Sequence, residues 1–388
     1  MAEYLSQEEI NQILIAVNSS PSTVTKRPDK FSKEQLQAVS YIHETFAKLL
    51  TYSLSAYIRS MCYVHVLSVD ELTYDEFIRV VSASVPSTLA VVNMNPLKGS
   101  AILEISTEIT FAIIDRICGG SGDGTKFQNK LTKIETSIME NIIAHMLGNL
   151  RKAWNQVLDM NPQMKAIDTD PQSVRIVSPN EIIILVMLKT KIGKAEGMIN
   201  VCIPSSTIEP IMEKLTNWYW NKNQDNTQSV SSVTEKPSGE KSGRIPKEKM
   251  RKKFKPFARI NRADPASLLN FIYNEHPQII ALVLAHVKPD KAAIILQNLY
   301  HDLQSDVFRR IAVMDWVREE ITSEIERTIE NMLNELSFER NNSIAGGVES
   351  ACKLLNFVDR ASEKQIINNL EKKDPELAEE IKKRAGIT

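Results

Sequence analysis

The stretch KNQDNTQSVSSVTEKPSGEKSGRIPKEKMRKK, Lys222 to Lys253, separates two halves of the chain that differ in pattern. It is rich in serine, lysine and glutamate and contains only scattered apolar residues. Such a segment buries too little apolar surface to offset the entropy lost when it orders. The half before it mixes helical and β-rich patterns, and the half after it contains helical patterns alone. We therefore predict two domains joined by a flexible linker at residues 222–253.

Composition permits a core in each half and argues against some classes of function. The chain has 388 residues, is 43% apolar and carries a formal net charge of −1. A chain so close to neutral has no overall electrostatic attraction for nucleic acid. A basic cluster closes the linker at Lys247, Lys249, Arg251, Lys252, Lys253 and Lys255. It leaves open a contact with anionic lipid or RNA, with a solvated linker end as the simpler interpretation.

The cysteines indicate a reducing compartment. Cys62, Cys118, Cys202 and Cys352 lie far apart, in apolar surroundings and without CxxC spacing. Buried free thiols are therefore favoured over disulfides or zinc. The sequence has no signal-peptide pattern and no apolar run long enough for a transmembrane helix. We expect a soluble cytoplasmic protein with no metal and no cofactor.

Residues 1–31 contain a short amphipathic helical pattern followed by a flexible leash. Ser6 and Glu9 form a capping-box pattern, which is typical of a helix start. The apolar stripe that follows consists of Ile10, Ile13, Leu14 and Val17. A helix this short is unstable alone because nucleation is costly. It either docks on its own domain or binds in a groove of another protein.

The first domain, residues 32–221, alternates long helical patterns with β-branched runs. Helices are predicted at Ser32–Ser60, Tyr74–Val81, Glu108–Cys118, Lys133–Val157 and Thr207–Trp218, with a capping box at Thr132 and Glu135. Strands are predicted at Met61–Leu67, Leu89–Asn93, Ala101–Ile105, Met164–Ile167, Val174–Val177, Glu181–Leu188 and Gly197–Ile203.

A weak internal repeat organises these elements. GSAILEIS from Gly99 leads into a helix, and GMINVCIP from Gly197 does so 98 residues later. The two long helices are about one repeat apart as well. The order of long helix, strands and strand into helix therefore occurs twice. It predicts an α/β/α sandwich with pseudo-twofold symmetry.

The glycine-rich run from Gly119 to Gly124 follows a helix. A phosphate-binding loop instead precedes a helix, so that the helix N-terminal amides face the anion. Nucleotide binding is therefore disfavoured. Gly119 or Gly120 could serve only as a helix C-cap. Alternatively, the loop is a surface that a partner backbone approaches closely.

Five segments of this half resemble the FliM family of flagellar motor switch proteins: SQEEINQIL, FSKEQLQAVSYIHETFAKLL, the GGSG loop, LTKIETSIME and TIEPIMEKLTNWYW. The resemblance implies an α/β/α fold similar to the CheC and CheX phosphatases. It also implies that the N-terminal peptide binds phosphorylated CheY. The residues that match this peptide motif are Glu9, Ile10, Asn11, Ile13 and Leu14, with Asn11 in place of an acidic residue.

A phosphatase of the CheC kind is the main alternative of a different class. Those enzymes need an acidic residue and an asparagine one helical turn apart on an exposed face. The nearest candidates, Glu140 and Asn141, are adjacent and point in different directions. Glu44 is followed three positions later by Ala47. We therefore predict no catalytic residues.

The second domain, residues 254–388, reads as a series of short helices. Asp264-Pro265 predicts a helix start, and Gln278–His286 is apolar enough to be a buried central helix. Further helices are predicted at Lys291–Leu299, Ser305–Met314, Glu319–Leu336, Val348–Phe357, Lys364–Leu370, with a capping box at Ser362 and Gln365, and Glu376–Arg384. Stacked helix pairs predict an all-α, armadillo-like right-handed superhelix.

A polar cluster, Glu275, His276, Pro277 and Gln278, precedes the buried helix and is expected to be exposed. It is either a capped helix junction or a recognition patch. ADPASLLNFIYNEHPQIIALVLAHV, VFRRIAVM and DPELAEEI resemble the middle domain of the FliG switch family. That resemblance implies that the EHPQ patch meets Gly119, Gly120, Ser121 and Gly122. The remaining FliM and FliG domains are not matched.

The two resemblances together predict a non-enzymatic switch component at the cytoplasmic face of the flagellar basal body. Its expected partners are phosphorylated CheY and neighbouring FliM and FliG subunits of the switch ring, with no nucleic acid and only indirect contact with the membrane. A flexible linker of this length spans about 30 Å, so the domains can dock in cis at an effective concentration of order millimolar. Docking in trans stays open. A generic adaptor that uses the basic linker is the remaining alternative.

Overall fold

The computed structural model describes residues 30–83, 87–122, 130–228, 257, 260–341, 348–355 and 357–385. Within these ranges no helix is both long and apolar enough to cross a membrane. Residues 1–29 of the predicted N-terminal segment and residues 229–253 of the predicted linker lie outside the described residues.

The first domain is built on one six-stranded sheet. In spatial order its strands are β1, β5, β6, β3, β2 and β4, and every neighbouring pair is antiparallel. The bounds are β1 Cys62–Thr73, β2 Thr88–Asn93, β3 Ser100–Ile105, β4 Gln163–Asp168, β5 Ile182–Ile192 and β6 Ala195–Pro204. The central strands β3, β5 and β6 are buried along most of their length because helices cover one face and a helix with a loop covers the other.

Helices lie on both faces of this sheet. They are α1 Lys33–Ile58, α2 Tyr74–Ala83, α3 Thr107–Ile117, α4 Lys133–Trp154, α5 Ser205–Ile208 and α6 Met212–Gln228, with a 3₁₀ turn at Glu209–Ile211. Side chains alternate between two cores along β2, where Leu89 joins α2 on one face and Ala90 joins α1, α3 and α4 on the other. The domain is therefore an α/β/α sandwich, as the sequence predicts.

The strand order contains the predicted pseudo-twofold symmetry. Exchanging β1 with β4, β2 with β5, and β3 with β6 maps the order of strands onto itself, with the axis between β3 and β6. The long helices α1 and α4 precede β1 and β4, and each begins with a complete capping box. In α1 the pair is Ser32 and Gln35, and in α4 it is Thr132 and Glu135.

The second domain is helical throughout its described residues. Its helices are α7 Pro265–Ile272, α8 Pro277–His286, α9 Pro289–Gln297, α10 His301–Ala312, α11 Glu319–Asn341, α12 Val348–Leu355, α13 Arg360–Lys373 and α14 Pro375–Ala385, after a 3₁₀ turn at Ile260–Arg262. Helix α8 is buried from Pro277 to Leu284, which confirms the predicted central helix. Helices α12 to α14 pack around a separate small core. The armadillo-like superhelix stays a prediction.

Three local predictions are wrong. Residues Val174–Val177, predicted as a strand, form a loop. Val174 is buried there, and its carbonyl accepts a hydrogen bond from Tyr74 Oη at 2.6 Å. The apolar residues of this segment therefore pack a loop onto the core and do not mark a strand. Helix α6 continues to Gln228, beyond the predicted linker start, and Lys222 bonds Gln156 Oε1 at 2.7 Å. Asp359 replaces the expected Ser362 box as the cap of α13, because its carboxylate accepts from the amides of Ala361 and Ser362.

Candidate functional site at the contact between the domains

The candidate site begins with the end of α3 and the glycine loop after it. Gly119 has a φ of +85°, a backbone conformation that is unfavourable for residues with a side chain. Its amide donates to the carbonyl of Arg116 at 3.1 Å. The amide of Gly120 donates to the carbonyl of Asp115 at 2.8 Å. A Cβ at Gly120 would lie 2.2 Å from the Asp115 carboxylate. These glycines let the backbone turn tightly around Asp115.

The second domain forms hydrogen bonds with the backbone of this loop. Gln278 donates from Nε2 to the carbonyl of Cys118 at 3.0 Å, and the amide of Asp315 donates to the carbonyl of Gly119 at 2.9 Å. A Cβ at Gly119 would lie 2.7 Å from the carbonyl oxygen of Asp315. The last carbonyls of a helix have no partner within the helix. Groups of the second domain therefore complete the end of α3.

A buried ion pair lies beside these backbone contacts. Arg310 Nη1 donates to Asp115 Oδ1 at 2.5 Å, and the two side chains are only 7% and 2% exposed. Arg310 also donates to Gln278 Oε1 at 3.1 Å and, through Nε, to Asp306 at 2.8 Å. The other Asp115 oxygen accepts from the amide of Gly122 at 2.6 Å. The carboxylate of Asp115 thus holds the glycine loop and the second domain at once.

A second group of contacts forms at the start of α4. Thr132 Oγ1 donates to Glu275 Oε2 at 2.6 Å, and the amide of His276 donates to Glu135 Oε1 at 3.1 Å. The His276 ring caps α8, since Nδ1 accepts from the amide of Gln278 at 3.1 Å, and it stacks on Phe111 with centroids 5.7 Å apart. Residues of the α4 capping box therefore serve the interface as well as the helix.

Two carboxyl groups are buried here without a cation. Glu275 and Glu135 are 5% and 3% exposed, and no described lysine, arginine or histidine forms an ion pair with either. Burial raises the pKa of Glu275 to about 8, helped by the Glu135 charge, and raises the pKa of Glu135 to about 6. Burial lowers the pKa of His276 to about 3. The contact therefore contains a neutral imidazole and a carboxyl group that is protonated at neutral pH.

Helix α11 extends the contact along the outer side of α4. Lys133 forms a 2.8 Å ion pair with Glu335, and Ser137 hydrogen-bonds the carboxylate of Glu324. One apolar core runs without a break from the first domain into α7, α8 and α11. The charged pair Lys133–Glu335 is exposed and contributes little, so the apolar core and the buried polar pairs dominate the contact.

The structure brings the two predicted motifs to one interface but with different partners. Gly119 meets Asp315, whereas Gly120 and Gly122 support Asp115 within their own domain. Of the EHPQ residues, Gln278 is bonded to the segment next to the glycines, through the Cys118 carbonyl. Glu275 and His276 lie instead against α4 and Phe111.

The expectation that the EHPQ cluster is exposed is wrong. Its four residues are buried, with Glu275 at 5% and His276 at 1%. The cluster caps a helix and also contacts the other domain, so the two interpretations of it are compatible. Peptide residues Glu9 to Leu14 lie outside the described residues.

Sequence reasoning missed Asp115, Arg310 and Asp315. A weak signal for the first was an acidic residue in the otherwise apolar ITFAIIDRI, which forms an almost fully buried helix. Nothing in the sequence pairs Asp115 with Arg310, which lies 195 positions away.

The described residues offer no metal site, and the candidate pair for phosphatase chemistry is not in the required arrangement. They contain no group of histidine, cysteine and carboxylate side chains that could hold a metal ion. Glu140 and Asn141 are adjacent and exposed on α4, where Asn141 bonds the carbonyl of Ser137 at 3.2 Å. The four described cysteines are buried free thiols, as predicted.

Comparison with known proteins identifies both halves. Residues 32–220 match the family model of flagellar motor switch protein FliM, and residues 265–339 match that of the FliG middle domain. The FliM of Treponema pallidum is 51% identical over 236 residues, which cover 57% of this chain and 68% of that protein. The FliG of Bacillus subtilis is 46% identical over 133 residues, covering 34% of this chain but only 39% of that protein.

A crystal structure of a FliG–FliM complex from H. pylori is also similar, at 35% identity and a TM-score of 0.46, covering 47% of this chain and all of that one (100%). FliM and FliG are structural proteins of the flagellar switch and are not enzymes. The chain belongs to the flagellar motor switch protein FliM family, carries a FliG middle domain after its FliM region, and is a non-enzymatic component of the flagellar motor switch.

Proposed function

We propose that this chain relays a signal from phosphorylated CheY, through its FliM domain, to its FliG middle domain. The observation that carries the proposal is the buried contact of α3 and α4 with α8 and α10, in which Asp115 and Arg310 form an ion pair. A contact with a buried ion pair and completed helix ends has one preferred geometry, so a shift of α3 or α4 would move the second domain with it.

The proposed capture site for CheY is the amphipathic peptide, with Glu9, Ile10, Asn11, Ile13 and Leu14 as its binding residues. Its support is the capping pattern, the apolar stripe and the match of this half to the FliM family. The leash joins α1, and α1 packs against α4. A bound CheY would thus be held next to helices that reach the domain contact.

The proposed setting is the cytoplasmic face of the flagellar basal body, among neighbouring FliM and FliG subunits. In that setting the two domains make this contact either within one chain or between adjacent chains. The chain covers 39% of the Bacillus subtilis FliG and 38% of the Borreliella burgdorferi FliG.

Capture is tested by titrating the full chain with phosphorylated and unphosphorylated CheY, followed by fluorescence anisotropy. We expect tighter binding of the phosphorylated form, and loss of binding in Ile13→Asp. A matched control, Val24→Asp, places the same charge in the leash and should bind normally. Equal affinity of all three chains would refute the capture site.

Relay is tested by hydrogen exchange at two amides that bond across the contact, those of His276 and Asp315. Saturating phosphorylated CheY should change their exchange rates in the wild type and leave them unchanged in Ile13→Asp. Rates that stay constant in the wild type, despite bound CheY, would contradict the relay.

A further inference from the structure

The C-terminal turn of α1 makes a separate set of contacts with the second domain. The guanidinium of Arg59 lies over the Trp316 ring, 4.1 Å from its centroid, and that of Arg318 lies over the Tyr57 ring at 4.8 Å. Each domain thus supplies one arginine and one aromatic ring. We call Tyr57, Arg59, Trp316 and Arg318 the arginine clamp. None of these residues belongs to the GGSG or EHPQ motifs.

The clamp also completes the end of α1. Arg318 Nη2 donates to the carbonyl of Ala56 at 3.2 Å, and Arg116 Nη2 donates to the carbonyl of Arg59 at 2.7 Å. Carbonyls at a helix C-terminus have no partner in the helix and attract cations. The second domain therefore supplies a cation where α1 needs one.

Arg59 occupies a backbone position that suits glycine. It has φ 52° and ψ 39°, the left-handed conformation, at the C-cap of α1. Glycine adopts this conformation without strain, whereas an arginine is penalised by its Cβ. An unfavourable residue at an exposed cap is expected only where its side chain has a use. Among the described residues, the contact of the Arg59 guanidinium with the Trp316 ring is one that a glycine could not make.

We propose that the C-terminal turn of α1 is a second docking site, and that it selects a segment in which an aromatic residue is followed two positions later by arginine, here Trp316-Val317-Arg318. The Arg59 guanidinium lies over the aromatic ring of this segment. The arginine of the segment lies over the Tyr57 ring and donates a hydrogen bond to the Ala56 carbonyl. A cation over an aromatic ring is favourable even when the ring is partly exposed, as Trp316 is. The occupant of this turn is therefore the segment at residues 316–318 of the second domain of this chain.

The test uses Arg59→Gly in the full chain, because the two roles of Arg59 predict opposite effects. Removing the Cβ strain should slow exchange of interior α1 amides, such as that of Leu54, by about fivefold. Losing the clamp should speed exchange of the Asp315 amide by about threefold. The control is Arg175→Gly, at an exposed loop position next to the core on the α2 face of the sheet, and it should change neither rate.

Trp316→Leu completes the test. It should speed Asp315 exchange as Arg59→Gly does and leave the α1 amides unchanged, and the double variant should show no further increase at Asp315. Slower α1 exchange with an unchanged Asp315 rate, or additive effects of the two substitutions, would refute the second docking site.

This inference rests on the contact between the domains that the proposed relay also uses, and the clamp and the contact can fail separately. A wild-type Asp315 amide that exchanges at the rate of an unstructured peptide would refute the contact itself. A protected wild-type amide that Arg59→Gly leaves equally protected would refute the clamp alone.

Discussion

At the scale of single residues, the contact depends most on the Asp115–Arg310 pair. Its two side chains are almost fully buried, so removing Arg310 leaves the Asp115 carboxylate without its cation, whereas Arg310 also pairs with Asp306. Such a loss costs about 3–5 kcal/mol, whereas replacing both charges by groups of similar size can be nearly neutral. The pair is therefore better understood as fixing the geometry of the contact than as its main source of stability.

We predict that Arg310→Met opens the contact by at least about a hundredfold in its equilibrium constant. Asp306 keeps Arg309 as a partner at 3.0 Å, so the uncompensated charge is that of Asp115. The measurement is exchange of the Asp315 and His276 amides in the full chain. Arg310→Met combined with Asp115→Asn should restore most of the protection, because the asparagine oxygen can still accept from the Gly122 amide. Equal opening in the single and double variants would contradict this role.

The carboxyl group of Glu275 predicts a pH dependence. Its pKa in the contact is about 8, above the ordinary value of 4.5, so docking favours the protonated form and weakens as pH rises through this interval. His276 affects docking in the opposite direction. Its pKa in the contact is about 3, so docking disfavours the protonated ring and weakens as pH falls below the ordinary pKa of 6.5. Between these limits, from pH 6.5 to 8, Glu275 alone sets the trend.

We therefore expect the equilibrium constant for docking to fall about tenfold per pH unit between pH 6.5 and 8 and to level off above pH 8. Asp315 exchange, corrected for its intrinsic pH dependence, measures this directly. Glu275→Gln keeps the hydrogen-bond acceptor of Thr132 and should remove the trend. A slope that persists in Glu275→Gln would assign it to another group.

The residues of the contact could be predicted only in part. Gly119 and Gln278 were recognisable because they sit in short motifs that resemble known families. Asp115 and Arg310 were not, because each is an ordinary charged residue of a helix until the other domain is placed against it. A pairing over so long a sequence separation is a property of tertiary structure.

At the scale of elements, the capping boxes of α1 and α4 form a natural comparison. They occupy equivalent places in the pseudo-twofold repeat, and in each a hydroxyl accepts from the third helical residue, at 3.2 Å for Ser32 and 3.1 Å for Thr132. Only Thr132 also donates to the second domain, through Glu275.

We predict that Thr132→Ala and Ser32→Ala each cost about 1 kcal/mol of stability as lost helix caps, while only Thr132→Ala opens the contact. Thermal unfolding of the full chain reports the shared loss. Exchange of the His276 amide reports the difference. If Ser32→Ala opened the contact as much as Thr132→Ala does, the hydroxyl of Thr132 would have no interface role beyond its cap.

Elements were more predictable than residues because their signals are local. Helices α1, α4 and α8 follow from apolar periodicity and caps, and the repeat gives the arrangement of α1 and α4 around the sheet. The predicted strand at Val174–Val177 failed because a buried loop has the same apolar pattern as a short strand. The extension of α6 was missed because a polar helix end lacks the periodic apolar residues that mark a helix.

At the scale of the whole molecule, the FliM and FliG domains share one apolar core and two groups of polar contacts. The contacts of α3 and α4 satisfy buried helix ends, and the clamp satisfies the end of α1. Family resemblance alone implied which motifs would meet. It did not imply that the Asp315 amide would donate to the Gly119 carbonyl, or that the carboxyl group of Glu275 would be buried against α4.

The central claim, that the FliM and FliG domains of this chain dock through α3, α4, α8 and α10, is tested most directly by residue-resolved hydrogen exchange on the full chain. We predict that the Asp315 amide, which bonds the Gly119 carbonyl at 2.9 Å, is strongly protected and that Arg310→Met removes this protection while interior α1 amides stay protected. Protection that is unchanged on dilution would place docking within one chain, and protection lost on dilution would place it between chains. An Asp315 amide that exchanges freely at every concentration, in an otherwise folded protein, would contradict the account.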